Sequence, residues 1–159
     1  MRPLLLALTL AAAPPVVPQL DLARYAGTWH EIARFPSFFE RGCTGVTATY
    51  VPQPDGHVVV INRCVKGGKV SEIRGQAWQP DVSEPAKLKV QFFWPFKGDY
   101  WVLELAPDYS WALVGDPDRK HAWILARSPT LDQATYARLV ARLQELGFDA
   151  AKLEKVPPA

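Results

Sequence analysis

Apolar and polar side chains alternate with a period of two over most of the stretch from residue 27 to residue 127, which is the signature of strands with two unlike faces. In 27–35, Trp29, Glu31 and Ala33 alternate with His30, Ile32 and Arg34. In 44–51, Val46, Ala48 and Tyr50 oppose Thr47 and Thr49; in 57–65, Val58, Val60 and Asn62 oppose His57, Ile61 and Arg63. The pattern continues in 70–79, with Ile73, Gly75 and Ala77 against Glu72, Arg74 and Gln76. It is cleanest in 86–93, with Leu88, Val90 and Phe92 against Lys87, Lys89 and Gln91. Three more strands are expected over 99–106, 110–115 and 121–127. Turn chemistry separates neighbours: Gln53-Pro54-Asp55-Gly56, Lys66-Gly67-Gly68-Lys69, Pro107-Asp108-Tyr109 and Asp116-Pro117-Asp118. About eight short strands in sequence predict an all-β, up-and-down antiparallel barrel. A sandwich is the alternative; closure is preferred because it removes the edges that so many hairpins leave.

After residue 127 the period changes from two to that of a helix. Tyr136, Leu139, Val140 and Leu143 form one stripe opposite Arg138, Arg142 and Glu145; Thr130 with Gln133 reads as a capping box, and Gly147 as the stop. An apolar stripe must be covered. Trp101, Leu103, Trp111 and Leu113 lie on the strand faces opposite Val102, Ala112 and Val114, so the C-terminal α-helix is expected to pack on them outside the barrel.

The inward faces supply the candidate ligand-binding positions. Ala48, Gly75, Ala77 and Ala112 leave space, while Val58, Val60, Leu88, Val90, Phe92, Tyr100, Val102 and Val114 wall it; Tyr50, Asn62, His121 and Trp123 complete the set. Alternating strand direction brings the loops at 35–43, 65–69, 94–98 and 116–120 to one end. That end collects Phe38, Phe39, Trp94 and Phe96 together with Lys97, Arg119 and Lys120, which suits an anionic head group whose tail enters the barrel. Mutual packing of the aromatics, with solvated lysines beside them, is the alternative.

Composition narrows the classes. The chain of 159 residues is 48% hydrophobic and 21% charged, enough for one domain with a core. Eighteen basic against 16 acidic side chains leave a net charge of only +2, which argues against nucleic acid as a partner. Residues 1–18, with Arg2 ahead of the apolar run Leu4–Ala13, read as a signal peptide with an undecided cleavage point, leaving 19–159 as the domain. No Cys precedes Cys43, so export to the periplasm or beyond is expected without a lipid anchor, the open end offering peripheral membrane contact. Two Cys in an exported chain read as a disulfide, Cys43 to Cys64, across the hairpin; a free thiol is the alternative. No cofactor or metal is expected.

Together, Gly27-x-Trp29-x-Glu31-Ile32-Ala33, Val46-x-Ala48-x-Tyr50, the Asp55-Gly56 turn, Tyr100-Trp101-Val102-Leu103, and Gly115-Asp116-Pro117 leading to Trp123-Ile124-Leu125-Ala126-Arg127 resemble the lipocalin family, in its bacterial outer-membrane, apolipoprotein-D-like branch. The resemblance implies an eight-stranded barrel with one C-terminal helix, no catalysis, and carriage of fatty acids or lysophospholipids for envelope lipid maintenance. It also implies that Trp29 on the first strand is capped by Arg127 from the last, as a structural pair. Two rival functions stay open: a barrel enzyme acting on a bound hydrophobic ligand through His30, His57, His121 or a free Cys43, and a protein–protein adaptor using the aromatic loops. Monomer and homodimer are equally compatible with the sequence.

Overall fold

The computed structural model describes residues 12–93 and 96–159, apart from the side chain of Phe96. Eight antiparallel strands, β1 (Gly27–Arg34), β2 (Thr44–Pro52), β3 (Val58–Lys66), β4 (Lys69–Trp78), β5 (Lys87–Phe93), β6 (Phe96–Leu105), β7 (Trp111–Gly115) and β8 (Ala122–Ala126), pair in chain order. β1 closes the barrel by pairing with both β8 and β2, so no strand of the eight is left as an edge. A two-residue strand, β9 (Glu154–Lys155), adds to β1 beyond β8.

Two apolar layers follow from the alternation. Trp29, Tyr50, Val58, Val60, Ala77, Leu88, Val102, Ala112 and Val114 are buried in the barrel, with Ala48, Val90, Phe92, Tyr100 and Trp123 packed against them. The outer layer joins Leu103, Leu113 and Ile124 of the barrel wall to Leu139 and Leu143 of helix α2 (Gln133–Glu145), with Trp101 and Trp111 at its border. The helix therefore covers the wall expected from its stripe. Arg142 Nε donates to Glu104 Oε1 at 2.8 Å, which points that carboxylate outward and away from the lumen.

The cap of α2 differs from expectation. Asp132, two residues beyond Thr130, holds the N-cap: its carboxylate accepts from Thr135 N at 2.9 Å and from the Thr135 hydroxyl at 2.8 Å. Gly147, at φ +86°, ends the helix as expected, and Phe148 N reaches back to Leu143 O at 3.0 Å.

Cys43 and Cys64 form a disulfide, with Cα atoms 5.4 Å apart. Of the expected leader, residues 1–11 lie outside the described residues. Residues before 19 already belong to the folded body: Val17 N donates to Val102 O at 3.0 Å, and Val16 packs against both apolar layers. Among the described residues no helix is long and apolar enough to cross a membrane.

Candidate functional site

One end of the barrel is closed by a plug. The short helix α1 (Leu22–Tyr25), capped by Asp21, lies across it, and Trp29 just after it is fully buried. The Trp29 indole donates to Tyr25 O at 2.9 Å. Arg127 lies over the Trp29 ring, its Cζ 3.9 Å from the centroid, and its guanidinium donates to Arg24 O at 2.7 Å, Ala26 O at 2.9 Å and Thr28 O at 3.2 Å. A fork of fixed N–H groups thus satisfies two carbonyls at the end of α1 and one at the start of β1.

Above the plug lies a pocket lined by Leu22, Tyr25, Tyr50, Pro52, Val58, Ala77, Leu88, Val90 and Tyr100. Its enclosed volume is about 20 Å³, room for roughly one water or one methyl group. The wall is apolar except for three phenols. Tyr100 hydroxyl bonds Tyr25 at 2.7 Å and Tyr50 at 2.9 Å, so these buried groups satisfy one another. Burial, the largest cause in each case, raises all three phenol pKa values. Gly75 does not leave the space expected of it. A Cβ there would meet Gln91 O at 2.5 Å and the Phe92 ring at 2.6 Å, because the neighbouring strand already fills the gap.

The other end carries the loop 35–43. Its 3-10 turn, Phe38–Glu40, presents Phe38 and Phe39 at 77% and 78% exposure, edge to face, their ring centroids 5.7 Å apart. Trp94 and the side chain of Phe96 are outside the described residues. Two cations expected at this mouth are directed elsewhere. Arg119 Nε donates to Leu146 O at 2.7 Å, because the free carbonyls at the end of α2 attract a cation. Lys97 Nζ lies 5.7 Å from the ring of Trp78, whose neighbour Ala77 is the inward residue. Lys120 is exposed. The His121 ring stacks on Trp123 and meets Asp116 Oδ2 at 2.7 Å, with 54% of its side chain exposed, so it belongs to the rim and not to the cavity wall.

The sequence pattern missed a charged cluster inside the barrel. The register of β1 against β8 shifts between Glu31 and Ala33, which places Ala33 with the outer layer and brings Arg34 to the side of Glu31. Arg34 Nη1 is 3.5 Å from Glu31 Oε1, Nε is 2.9 Å from Glu40 Oε2, and Nη2 donates to Glu40 O at 2.9 Å. Burial first, and the Glu40 carboxylate second, push the Glu31 carboxyl well above the usual range. The same two carboxylates raise the phenol pKa of Tyr50, an inward residue, which ties the cluster electrostatically to the lumen. Asn62 also faces inward, and its buried Oδ1 has no hydrogen-bond partner.

Cys43 is held in the disulfide with Cys64, so it is not the free thiol considered as a nucleophile. Among the described residues no cluster of metal-ligating side chains occurs. A larger groove, about 280 Å³, runs outside the barrel along Trp111, Ser128, Thr130 and Asp132; its open, polar lining does not suit an acyl chain.

Comparison with known proteins agrees with this architecture. A family model described as a lipocalin-like domain matches residues 20–158. Temperature-induced lipocalin-1 of Arabidopsis thaliana is 43% identical over 151 residues, covering 89% of this chain and 81% of its own length. The outer membrane lipoprotein Blc of Escherichia coli K12 is 43% identical over 139 residues, 86% of this chain and 78% of that protein. Apolipoprotein D of Bos taurus is 37% identical over 150 residues, covering 88% and 78%. Among solved structures, insecticyanin of Manduca sexta superposes with a TM-score of 0.74 at 25% identity, over 94% of this chain and 88% of that one.

Proposed function

The chain belongs to the lipocalin-like family, whose members bind small hydrophobic ligands, and from that premise we propose that it carries one single-chain amphiphile, a fatty acid or lysophospholipid, inside the barrel. The observation that carries the reading is the polarity of the barrel along its axis. A largely apolar inner layer lies between a mouth with two exposed Phe side chains, where the Arg34 cluster sits, and a small pocket closed by α1 and Arg127. In this reading the terminal methyl of the tail occupies the pocket beside Ala77 and Val90, and Phe92, the ring above Gly75, yields to the chain behind it. Each methylene taken from water contributes roughly 0.8 kcal/mol.

Export is part of the proposal. The Cys43–Cys64 disulfide fits an oxidising compartment, and the leader-like composition of residues 1–13 fits the route there. The role is storage or transfer of envelope lipids, with Phe38, Phe39 and Lys120 at the end that meets the donor surface. Native mass spectrometry of protein purified gently from an exporting host tests this. A one-to-one adduct that releases a single-chain lipid on activation supports the reading; protein that carries no lipid and takes up none when offered overturns it.

A further inference from the structure

Arg34 brings a guanidinium into the barrel with its side chain only 9% exposed. Such a group has five N–H donors and, when buried, needs most of them satisfied. Here the Glu31 contact is long, at 3.5 Å, and the Glu40 carbonyl at 2.9 Å is the one well-formed bond. Arg34 Nε and Glu40 Oε2, although 2.9 Å apart, complete no hydrogen bond with each other or with anything else. The cation is therefore buried, charged and under-satisfied.

Its main partner is not part of the barrel wall. Glu40 ends the 3-10 turn that carries Phe38 and Phe39, and its side chain is 22% exposed, so it has water to return to. Glu31, by contrast, is fixed on β1 and buried. Burial keeps the Glu31 carboxyl protonated to higher pH than usual, which lessens its repulsion of a second anion nearby.

We propose that Arg34 anchors the anionic head group of the ligand, a carboxylate or a phosphate, which takes the place of the Glu40 carboxylate and frees the Phe38–Glu40 turn. The exchange replaces one oxyanion by another on the same guanidinium, so the charge is never left bare. A planar fork donates to two oxygens of either head group. Entry of the ligand and release of the lip at the mouth then become one event. The inference rests on the carrier reading and adds where the head sits.

Calorimetric titration of palmitate, palmitoyl lysophosphatidate and neutral monopalmitoylglycerol against three proteins tests it. In Glu40→Gln the competing charge is gone, so both anions should bind about tenfold tighter while the neutral lipid is unchanged. In Arg34→Gln the anions should weaken by about tenfold or more, with the neutral lipid retained, which also reports that the variant is folded. Hydrogen exchange of residues 37–41 should rise in the anion complexes and not in the neutral one. Sensitivity of palmitate alone identifies a carboxylate site, and of lysophosphatidate alone a phosphate site; either supports the anchor. Equal losses for charged and neutral lipids in Arg34→Gln, or no gain for any anion in Glu40→Gln, overturn it. If Arg34→Gln does not fold, the Glu40→Gln result decides. A wild type that binds none of the three defeats the carrier reading and this inference together; one that binds all three without responding to either variant defeats this inference alone.

Discussion

Replacing Arg127 with Ala removes one side chain that serves two purposes at the plug. The cation over the Trp29 ring, at 3.9 Å, is shielded on one side by the buried indole and contributes about 1–2 kcal/mol. Three carbonyls around α1, those of Arg24, Ala26 and Thr28, lose a charged donor, and so does Tyr109 O, at the longer distance of 3.3 Å. They lie near the surface and are rehydrated, so each loss costs well under the 1.5–3 kcal/mol typical of charged hydrogen bonds, roughly 0.5 kcal/mol. The total is about 3 kcal/mol, which for a domain of this size lowers the Tm by roughly 10 °C. Arg127→Lys should recover less than half, because an ammonium keeps the ring contact but has no planar fork for three carbonyls. Thermal unfolding followed by circular dichroism measures both. A Tm for Arg127→Ala within about 2 °C of wild type would refute the reasoning outright. Full rescue by Lys would show that charge matters there and the carbonyl fork does not.

Two further outcomes follow from groups away from the lumen wall's apolar part. Replacing both Cys43 and Cys64 with Ala should cost about 3 kcal/mol in denaturant titrations, since the bond closes a loop with a sequence separation of 21; an unchanged midpoint would contradict it. The Tyr25, Tyr50 and Tyr100 phenols have raised folded-state pKa values, so their contribution to stability is fully present below the ordinary tyrosine value of about 10 and is lost as pH rises through the folded-state values. Absorbance titration of the five tyrosines should therefore show a late group that ionises together with unfolding; five equivalent phenols titrating near pH 10 would be inconsistent with the buried network.

The faces of the strands were legible because a two-residue period assigns every side chain once one is placed, and the inward positions from Tyr50 to Val114 follow that rule. The rule fails at a bulge. One extra residue between Glu31 and Ala33 turns Arg34 inward, and nothing in Glu31-Ile32-Ala33-Arg34 marks that shift in advance. Membership of a loop proved a weaker guide than position on a strand. Arg119 sits in a mouth loop, yet its side chain serves the end of α2; the Gly147 stop, which fixes where unsatisfied carbonyls gather, is the sequence signal that points there. Small inward residues likewise do not define a void, since Gly75 is matched by the Phe92 ring across the strand pair. The cap at Asp132 and the expected one at Thr130 differ by two residues within one polar run, where the apolar stripe carries no information.

The carrier reading is tested most directly by filling the pocket from its own wall. Val90 lines it together with Ala77 and Leu88, and an indole at position 90 would occupy the path of several methylenes, about 3 kcal/mol of tail burial or roughly a hundredfold in affinity. Palmitate and monopalmitoylglycerol should bind the wild type with one-to-one stoichiometry and lose affinity in parallel in Val90→Trp, provided circular dichroism shows the barrel intact. A folded Val90→Trp protein that binds both lipids as well as the wild type would place the ligand outside the barrel and contradict the account.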